Sequence, residues 1–295
     1  MSNLSVSPEG SLSEKDFFVR YNKSNYDLLS VSVDTVIFGI DCRLQTENIR
    51  KLDEQKLTVL LVKRDSYPYL GMWSLPGGFV GINEPLDSAA KRVLKNKTGI
   101  SQLYLEQLYT SGAPERDPRM RIISCSYLSL IDRSKYTLGS KQNSLRTAWF
   151  EIEFSDNSGA IVMKSGEEII TIPIISKSEQ NGKVESLIYE VKDGSSLAFD
   201  HAAIILKGLL RLRGKINYTD IAFNLMPERF TISQLQQIYE IILGQKLLAP
   251  LFRRQIAGKI RGTESFSSEK GHRPSRLYTY NGSCLEKEGF KHYEV

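Results

Sequence analysis

The stretch GGFVGINEPLDSAAKRVLKNKTGI, residues 77–100, opens on a glycine pair and continues as a helix predicted over 84–98. Leu86, Ala89, Ala90, Val93 and Leu94 recur at helical spacing and form one apolar stripe. Asn83 is a candidate N-cap, Pro85 suits a first turn, and Gly99 suits the left-handed stop. Positions 93, 96 and 97 are neighbours on such a helix, at i, i+3 and i+4. They hold Val, Asn and Lys.

Working outward, the chain has 295 residues, enough for about two domains. With 41% apolar and 25% charged residues it reads as an ordinary globular protein. No apolar run approaches the ~18–20 residues that span a bilayer. The N-terminus, MSNLSVSPEGSLSEKDFF, lacks the basic-then-apolar order of a secretory signal. Residues 1–29 are read as a partly disordered lead-in with a short helix within 11–29. Cys42, Cys125 and Cys284 are too scattered for a disulfide framework or a zinc site, which points to a reducing cytoplasm. From Lys207 onward there are 15 Lys/Arg against 8 Asp/Glu, or +7; the rest holds 24 against 26, or −2. A basic C-terminal part suggests a polyanion partner, against the alternative of a solvated lysine-rich surface.

Strand texture dominates the first two thirds of the chain: SVSVDTVIFGI from position 30, LTVLLVKR, and then 122–131, 147–154, 167–175 and 184–191. Short strands around few helices imply an α+β domain over 30–198, with extra strands in 132–196. A linker helix follows over 199–215, for which Asp200 is a candidate cap. Residues 216–295 change texture. TISQLQQIYEIILG (231–244) has the Thr231/Gln234 capping-box spacing and ends at Gly244. A basic helix is expected over 250–260, then a polar loop and a strand. Helix, tight turn, basic helix and Arg-bearing hairpin is the order of a winged helix-turn-helix, although a small helical dimerisation domain would share much of it.

GMWSLPGGFV, with Gly78, Glu84, Arg92, Leu94, Gly99 and Ile100 at their spacings, resembles the Nudix box. In that family, acids at the positions of Val93, Asn96 and Lys97 hold Mg²⁺ for cleavage of a nucleoside diphosphate linkage. Mg²⁺ demands hard oxygen ligands and charge compensation. Three acids would carry −3 there; Val, Asn and Lys carry +1. No Mg²⁺ or other cofactor is therefore expected, and no catalytic residue is assigned. A shifted acid at Glu115 or Asp117 is the exception considered. Val93 also completes the apolar stripe. Lys97 either snorkels or touches a ligand phosphate.

RDPR (116–119), LAFDHAAII (197–205), YTDIAFNLMPERFTISQLQQIYEIILG (218–244), FRRQI (252–256) and GHRPSRLY (271–278) together resemble the Nudix-related transcriptional regulators of the NrtR type, over about 30–280. The resemblance implies a Nudix-like α/β/α sandwich with a mixed sheet that binds an effector, followed by a winged helix that binds operator DNA as a homodimer. Family members respond to ADP-ribose or to sugars. It further implies an effector site among Arg64, Phe79, Glu84, Arg92, Lys97, Arg116, Arg119 and Arg121. DNA contacts are expected from Arg253, Arg254, Lys259, His272, Arg273 and Arg276. Arginine forks suit phosphate oxygens and guanine edges alike. Two rival readings stand: a Nudix hydrolase with a basic appendage, and a scaffold whose C-terminal helices pair with protein.

Overall fold

A computed structural model describes residues 28–43, 54–100, 104–135, 147–154, 159–192, 196–267 and 274–282. The predicted lead-in and its helix lie outside the described residues, apart from the last two positions. One mixed sheet carries β1 (Ser30–Arg43), β2 (Glu54–Lys63), β3 (Trp73–Ser74), β4 (Gly77–Phe79), β5 (Tyr104–Ser111), β6 (Ile122–Ile131), β7 (Thr147–Phe154), β8 (Ala160–Ser165), β9 (Glu168–Asn181) and β10 (Val184–Val191). Its order is β10-β9-β8-β7-β2-β1-β6-β5, with β3 on β2 and β4 on β1. The β1–β6 pair is parallel and the other pairs are antiparallel.

Helices cover both faces, so the sandwich is α/β/α. Helix α1 (Leu86–Thr98) lies over β1 and β4 and buries Ala89, Ala90, Val93 and Leu94. Its stripe is the one legible in the sequence. Its N-terminus is not: Pro85, extended at ψ 149°, takes the cap position with no side-chain cap, and Asn83 lies outside the helix. Gly99 ends the helix at φ 76°, where a Cβ would be strained. Helix α2 (His201–Lys215) crosses the opposite face against β1, β5 and β10.

Four strands of this sheet escaped prediction, β3, β4, β5 and β8; β3 and β4 are only two and three residues long. In β5 the register shifts between Gln107 and Tyr109, and a bulge of this kind breaks the apolar alternation on which recognition depends. β8 is only six residues long. β9 runs past its predicted end at 175 to Asn181, because pairing with β10 extends it through polar, exposed residues. β7 to β10 fall within 132–196, and this hairpin forms one edge of the sheet.

The C-terminal part holds a 3₁₀ turn (Ile221–Leu225), α3 (Ile232–Leu243), α4 (Ala249–Ile256) and a two-stranded wing, β11 (Ile260–Phe266) with β12 (Arg276–Tyr280). The reciprocal Thr231/Gln234 capping box is present, and Gly244 stops α3 at φ 71°. Glu240 accepts the Leu247 amide at 3.0 Å while Gln236 donates to the Leu247 carbonyl at 3.0 Å, which sets the tight turn. Tyr239 meets Phe252 edge-on and joins the two helices. Helix α4 ends at Ile256 rather than at the predicted residue 260. Among the described residues, no helix is long and apolar enough to cross a membrane.

The wing helices also share the sheet's core. Leu235, Ile238 and Ile242 of α3 belong to one apolar cluster with Leu57, Val59 and Leu61 of β2, and α3 packs on β2. Both tryptophans, Trp73 and Trp149, lie in the sheet. Truncating Ile238 to Ala should therefore lower the urea midpoint reported by tryptophan fluorescence, in line with a loss of about 2–5 kcal/mol of unfolding free energy. A tryptophan transition left unmoved would mean that the wing unfolds independently.

Candidate functional site

A cavity of about 170 Å³ opens at the end of the sheet where β1, β3 and β4 meet the start of α2. Its floor is built on Asp34, a buried carboxylate of β1 flanked by the buried apolar residues Val33, Val36, Ile37 and Phe38. Asp34 is 6% exposed and accepts a hydrogen bond from the Ser124 hydroxyl. Arg116 approaches it at 3.4 Å, and His201 Nε2 at 3.5 Å. His201 Nδ1 accepts the Leu75 amide at 2.9 Å, so the hydrogen-bond pattern puts the ring proton on Nε2, facing Asp34. Burial pushes the Asp34 carboxyl up, but His201, Ser124 and Arg116 outweigh it and hold the group below its ordinary value. Gly77 makes this floor feasible: a Cβ there would sit 2.0 Å from Asp34 Oδ1.

Arg116 is itself buried. It grips Asp200 in a two-pronged pair, Nε to Oδ2 at 3.1 Å and Nη2 to Oδ1 at 2.7 Å. Asp200 thus stands at the N-cap position of α2 without capping it, contrary to the expected role. Burial lowers the Arg116 guanidinium; its hydrogen bonds and charge contacts with Asp200, and the charge of Asp34, raise it further, so the net shift is upward.

The mouth is aromatic and cationic. Phe199, at φ 54°, stacks under Arg64 at 4.8 Å, and Tyr69, at φ 62°, meets it edge-on. Arg119 lies between Phe79 (5.3 Å) and Phe199 (6.0 Å) and pairs with Asp117 at 2.8 Å. Burial and the nearby Arg119 both lower the Arg64 guanidinium, the signature of crowded cations. Five cationic lining residues, Lys63, Arg64, Lys97, Arg116 and Arg119, face three carboxylates, Asp34, Asp65 and Asp117. The surplus suits an anion.

Of the expected effector residues, Arg64, Phe79, Lys97, Arg116 and Arg119 converge on this cavity. Glu84 and Arg92 do not line it. They form a bidentate pair at 2.7 Å that also ties the Phe79 carbonyl and the Gly81 amide, and Arg92 with Gly81 holds the Glu84 carboxyl at about 2. Arg121 donates to the Gly112 carbonyl at 2.6 Å, outside the lining. Asp34, Phe199, Asp200 and His201 were not assigned from sequence. A carboxylate set between Val33 and Val36, in the apolar part of a strand, was the available signal.

The side chains do not fit Mg²⁺ in the Nudix manner. Val93 is buried, its Cγ2 only 3.0 Å from where a Gly78 Cβ would sit, so it packs under the glycine turn. Lys97 brings an ammonium to the cavity. Both oxygens of Glu84 are taken by Arg92. Asp117 is engaged by Arg119.

At the other end of the molecule, Arg253 and Arg254 are exposed on α4 and carry no ion pair among the described residues. Lys259 follows the helix rather than lying on it, and pairs with Asp220 at 2.7 Å. Arg276 lies back across its own hairpin, Nε donating to the Thr263 carbonyl at 2.8 Å over Gly262. His272 and Arg273 lie outside the described residues.

A Nudix-type sandwich joined through a buried helix to a winged helix-turn-helix defines a two-module class, with a small-molecule cavity in one module and a basic helix on the other. Family models agree: NUDIX domain matches residues 48–157 and NrtR DNA-binding winged helix domain matches 222–280. The chain is 33% identical over 272 residues to the ADPR responsive transcriptional repressor NtrR of Acinetobacter baylyi, covering 91% of this chain and 88% of that one. It superposes on Shewanella oneidensis NrtR complexed with a 27mer DNA with a TM-score of 0.60 at 26% identity, over 86% of this chain and 94% of the other. A MutT/nudix family protein from Enterococcus faecalis shares the fold, with a TM-score of 0.66 at 23% identity over 92% and 94%. The chain belongs to the NrtR family of Nudix-related transcriptional regulators.

Because Asp34 titrates lower folded than unfolded, its contribution to stability is full above about pH 4 and is lost as pH falls through the folded value. Comparing urea unfolding at pH 7 and pH 3, Asp34→Asn should be less stable than wild type at pH 7. The gap should narrow at pH 3.

Proposed function

We propose that the protein is a DNA-binding transcriptional regulator whose Nudix module senses an anionic effector and does not hydrolyse it. The reading rests above all on one observation: both modules align with an ADPR responsive repressor along nine tenths of the chain. The effector is a nucleoside diphosphate of the ADP-ribose type. Its phosphates meet Lys97, Arg116 and Arg119, and its ring meets Phe79 or Phe199. The relative's responsiveness and the cationic, aromatic lining support this choice.

Helix α4 enters the major groove with Arg253 and Arg254 foremost. The wing follows the adjacent backbone. The functional unit is a homodimer in the cytoplasm, on half-sites about one helical turn apart. Effector and operator are linked through their differential affinity for the two arrangements of the modules, commonly about 1–3 kcal/mol. Hydrolysis by the Nudix route is disfavoured by the packing of Val93, the charge of Lys97 and the engagement of Glu84 by Arg92.

Arg254→Ala should weaken operator binding by about 1–3 kcal/mol if the side chain reads a base. Arg253→Ala combined with it should also flatten the dependence of affinity on salt. Unchanged affinity in the double variant would remove α4 as the reader. With ADP-ribose and Mg²⁺, AMP release should stay at trace level; steady turnover would favour the hydrolase instead.

A further inference from the structure

The carboxylate of Asp200 has two sets of suitors within the same fold. One is Arg116 in the cavity floor, which it now holds through two hydrogen bonds. The other is the first turn of α2, whose amides receive no side-chain cap although Asp200 occupies the cap position. Asp is among the best N-cap residues, and its negative charge suits a helix N-terminus. The cap is withheld both by the ion pair and by the Asp200 backbone, which at ψ 19° is not in the extended conformation of an N-cap. Arg116 in turn has unspent capacity: Nε and Nη2 are used, and Nη1 has no hydrogen-bond partner among the described residues.

From this geometry we infer that Asp200 is a latch, released from Arg116 when a diphosphate takes the guanidinium and transferred to cap helix α2. The inference rests on the cavity being the effector site. A phosphate oxygen accepts the same forked donation as a carboxylate, so ligand and Asp200 compete for one group. Capping requires Asp200 to turn from ψ 19° toward the extended backbone of an N-cap, which frees the Ala203 amide from the Asp200 carbonyl (now 3.0 Å) for the carboxylate. Asp34 stays beneath Arg116 and keeps the site from carrying an unbalanced buried charge.

The consequence travels along α2. Asp200 lies between Phe199, which lines the cavity, and His201, which accepts the Leu75 amide; the Ala198 amide is bonded to the Trp73 carbonyl at 2.9 Å. At the other end of the helix, Arg213 donates to the Ile242 carbonyl at the end of α3 (2.8 Å) and to the Phe154 carbonyl of β7 (2.7 Å). One rigid helix thus has its first residue beside the ligand cavity and its last turn fastened to the DNA-reading module. A change of partner at Asp200 is a discrete, two-state event at the start of that lever.

The test uses the full chain and an operator duplex recovered by selection with the wild-type protein. ADP-ribose is the probe, with inorganic pyrophosphate as the phosphate-only comparison. Asp200→Asn keeps a capping side chain and loses the charge that holds Arg116. Without ligand, this variant should show the operator affinity of liganded wild type, with no further response to ADP-ribose. It should bind ADP-ribose at least as tightly as wild type, because no carboxylate has to be displaced. Asp200→Ala, which cannot cap, should bind the ligand but fail to reach the liganded operator affinity.

Hydrogen exchange on wild type supplies a measurement independent of any variant's folding: peptides covering 200–205 should exchange more slowly once ADP-ribose is bound. If Asp200→Asn binds ADP-ribose and still shifts operator affinity as wild type does, or if that exchange is unchanged, the latch is wrong and the cavity reading survives. Wild-type protein that binds neither ADP-ribose nor pyrophosphate would remove both.

Discussion

Helix α2 is buried from opposite sides at once, and the relation between the two modules depends on that fact. Ile204, Ile205, Leu206, Leu209 and Leu212 are all under 5% exposed, shared between the sheet and the wing helices. Gly208 lies close to β1, where a Cβ would meet Phe38 and Val36 at 3.3 Å. At about 1.5–3 kcal/mol for each fully buried aliphatic side chain, the helix holds on the order of 10 kcal/mol of apolar burial. That is comparable with the whole net stability of an ordinary domain, about 5–15 kcal/mol. Detachment of the helix is therefore no route for signalling. Whatever passes between cavity and wing passes by small shifts of a seated helix, biased at its ends.

Charged groups anchor both ends of the helix. At the first turn, the Asp34–Arg116–Asp200 cluster and His201 tie the helix to the cavity floor. At the last turns, Arg213 lies over Phe154 at 4.2 Å, and Lys215 bonds Glu106 and Tyr104. Buried ion pairs add little net stability, since desolvation offsets much of their attraction, but they are costly to break by halves. They suit positions where one arrangement must be exchanged for another.

The altered box reads differently once its three positions are seen separately. Val93 fills space under the glycine turn, Asn96 is on the exposed side of α1, and Lys97 faces the cavity. The three positions thus have three separate local environments: a packed apolar side chain, an exposed amide, and a cation lining the cavity. Glu84 and Arg92, the box residues that remain, hold the turn together by bonding each other.

Much of this architecture was legible in the order of residues. The stripe of α1, the Thr231/Gln234 box, the left-handed stops at Gly99 and Gly244, and strands such as 122–131 are local signals, fixed by spacing of a few residues. The spacing of Gly78, Glu84, Arg92 and Gly99 identified the sandwich even with its acids gone. Tertiary structure alone decided who pairs with whom. Asp200 looked like a cap because the sequence neighbours it with helical residues, yet Arg116, 84 positions away, takes its carboxylate. Lys259 looked like part of a reading helix until α4 stopped at Ile256 and Asp220 claimed its ammonium. β5 was hidden by its bulge. Spacing along the chain determines periodic faces and turns, because those arise between near neighbours. The partners of a charge are set by folding, which brings distant groups into a low-dielectric interior where an unpaired one is too costly to keep.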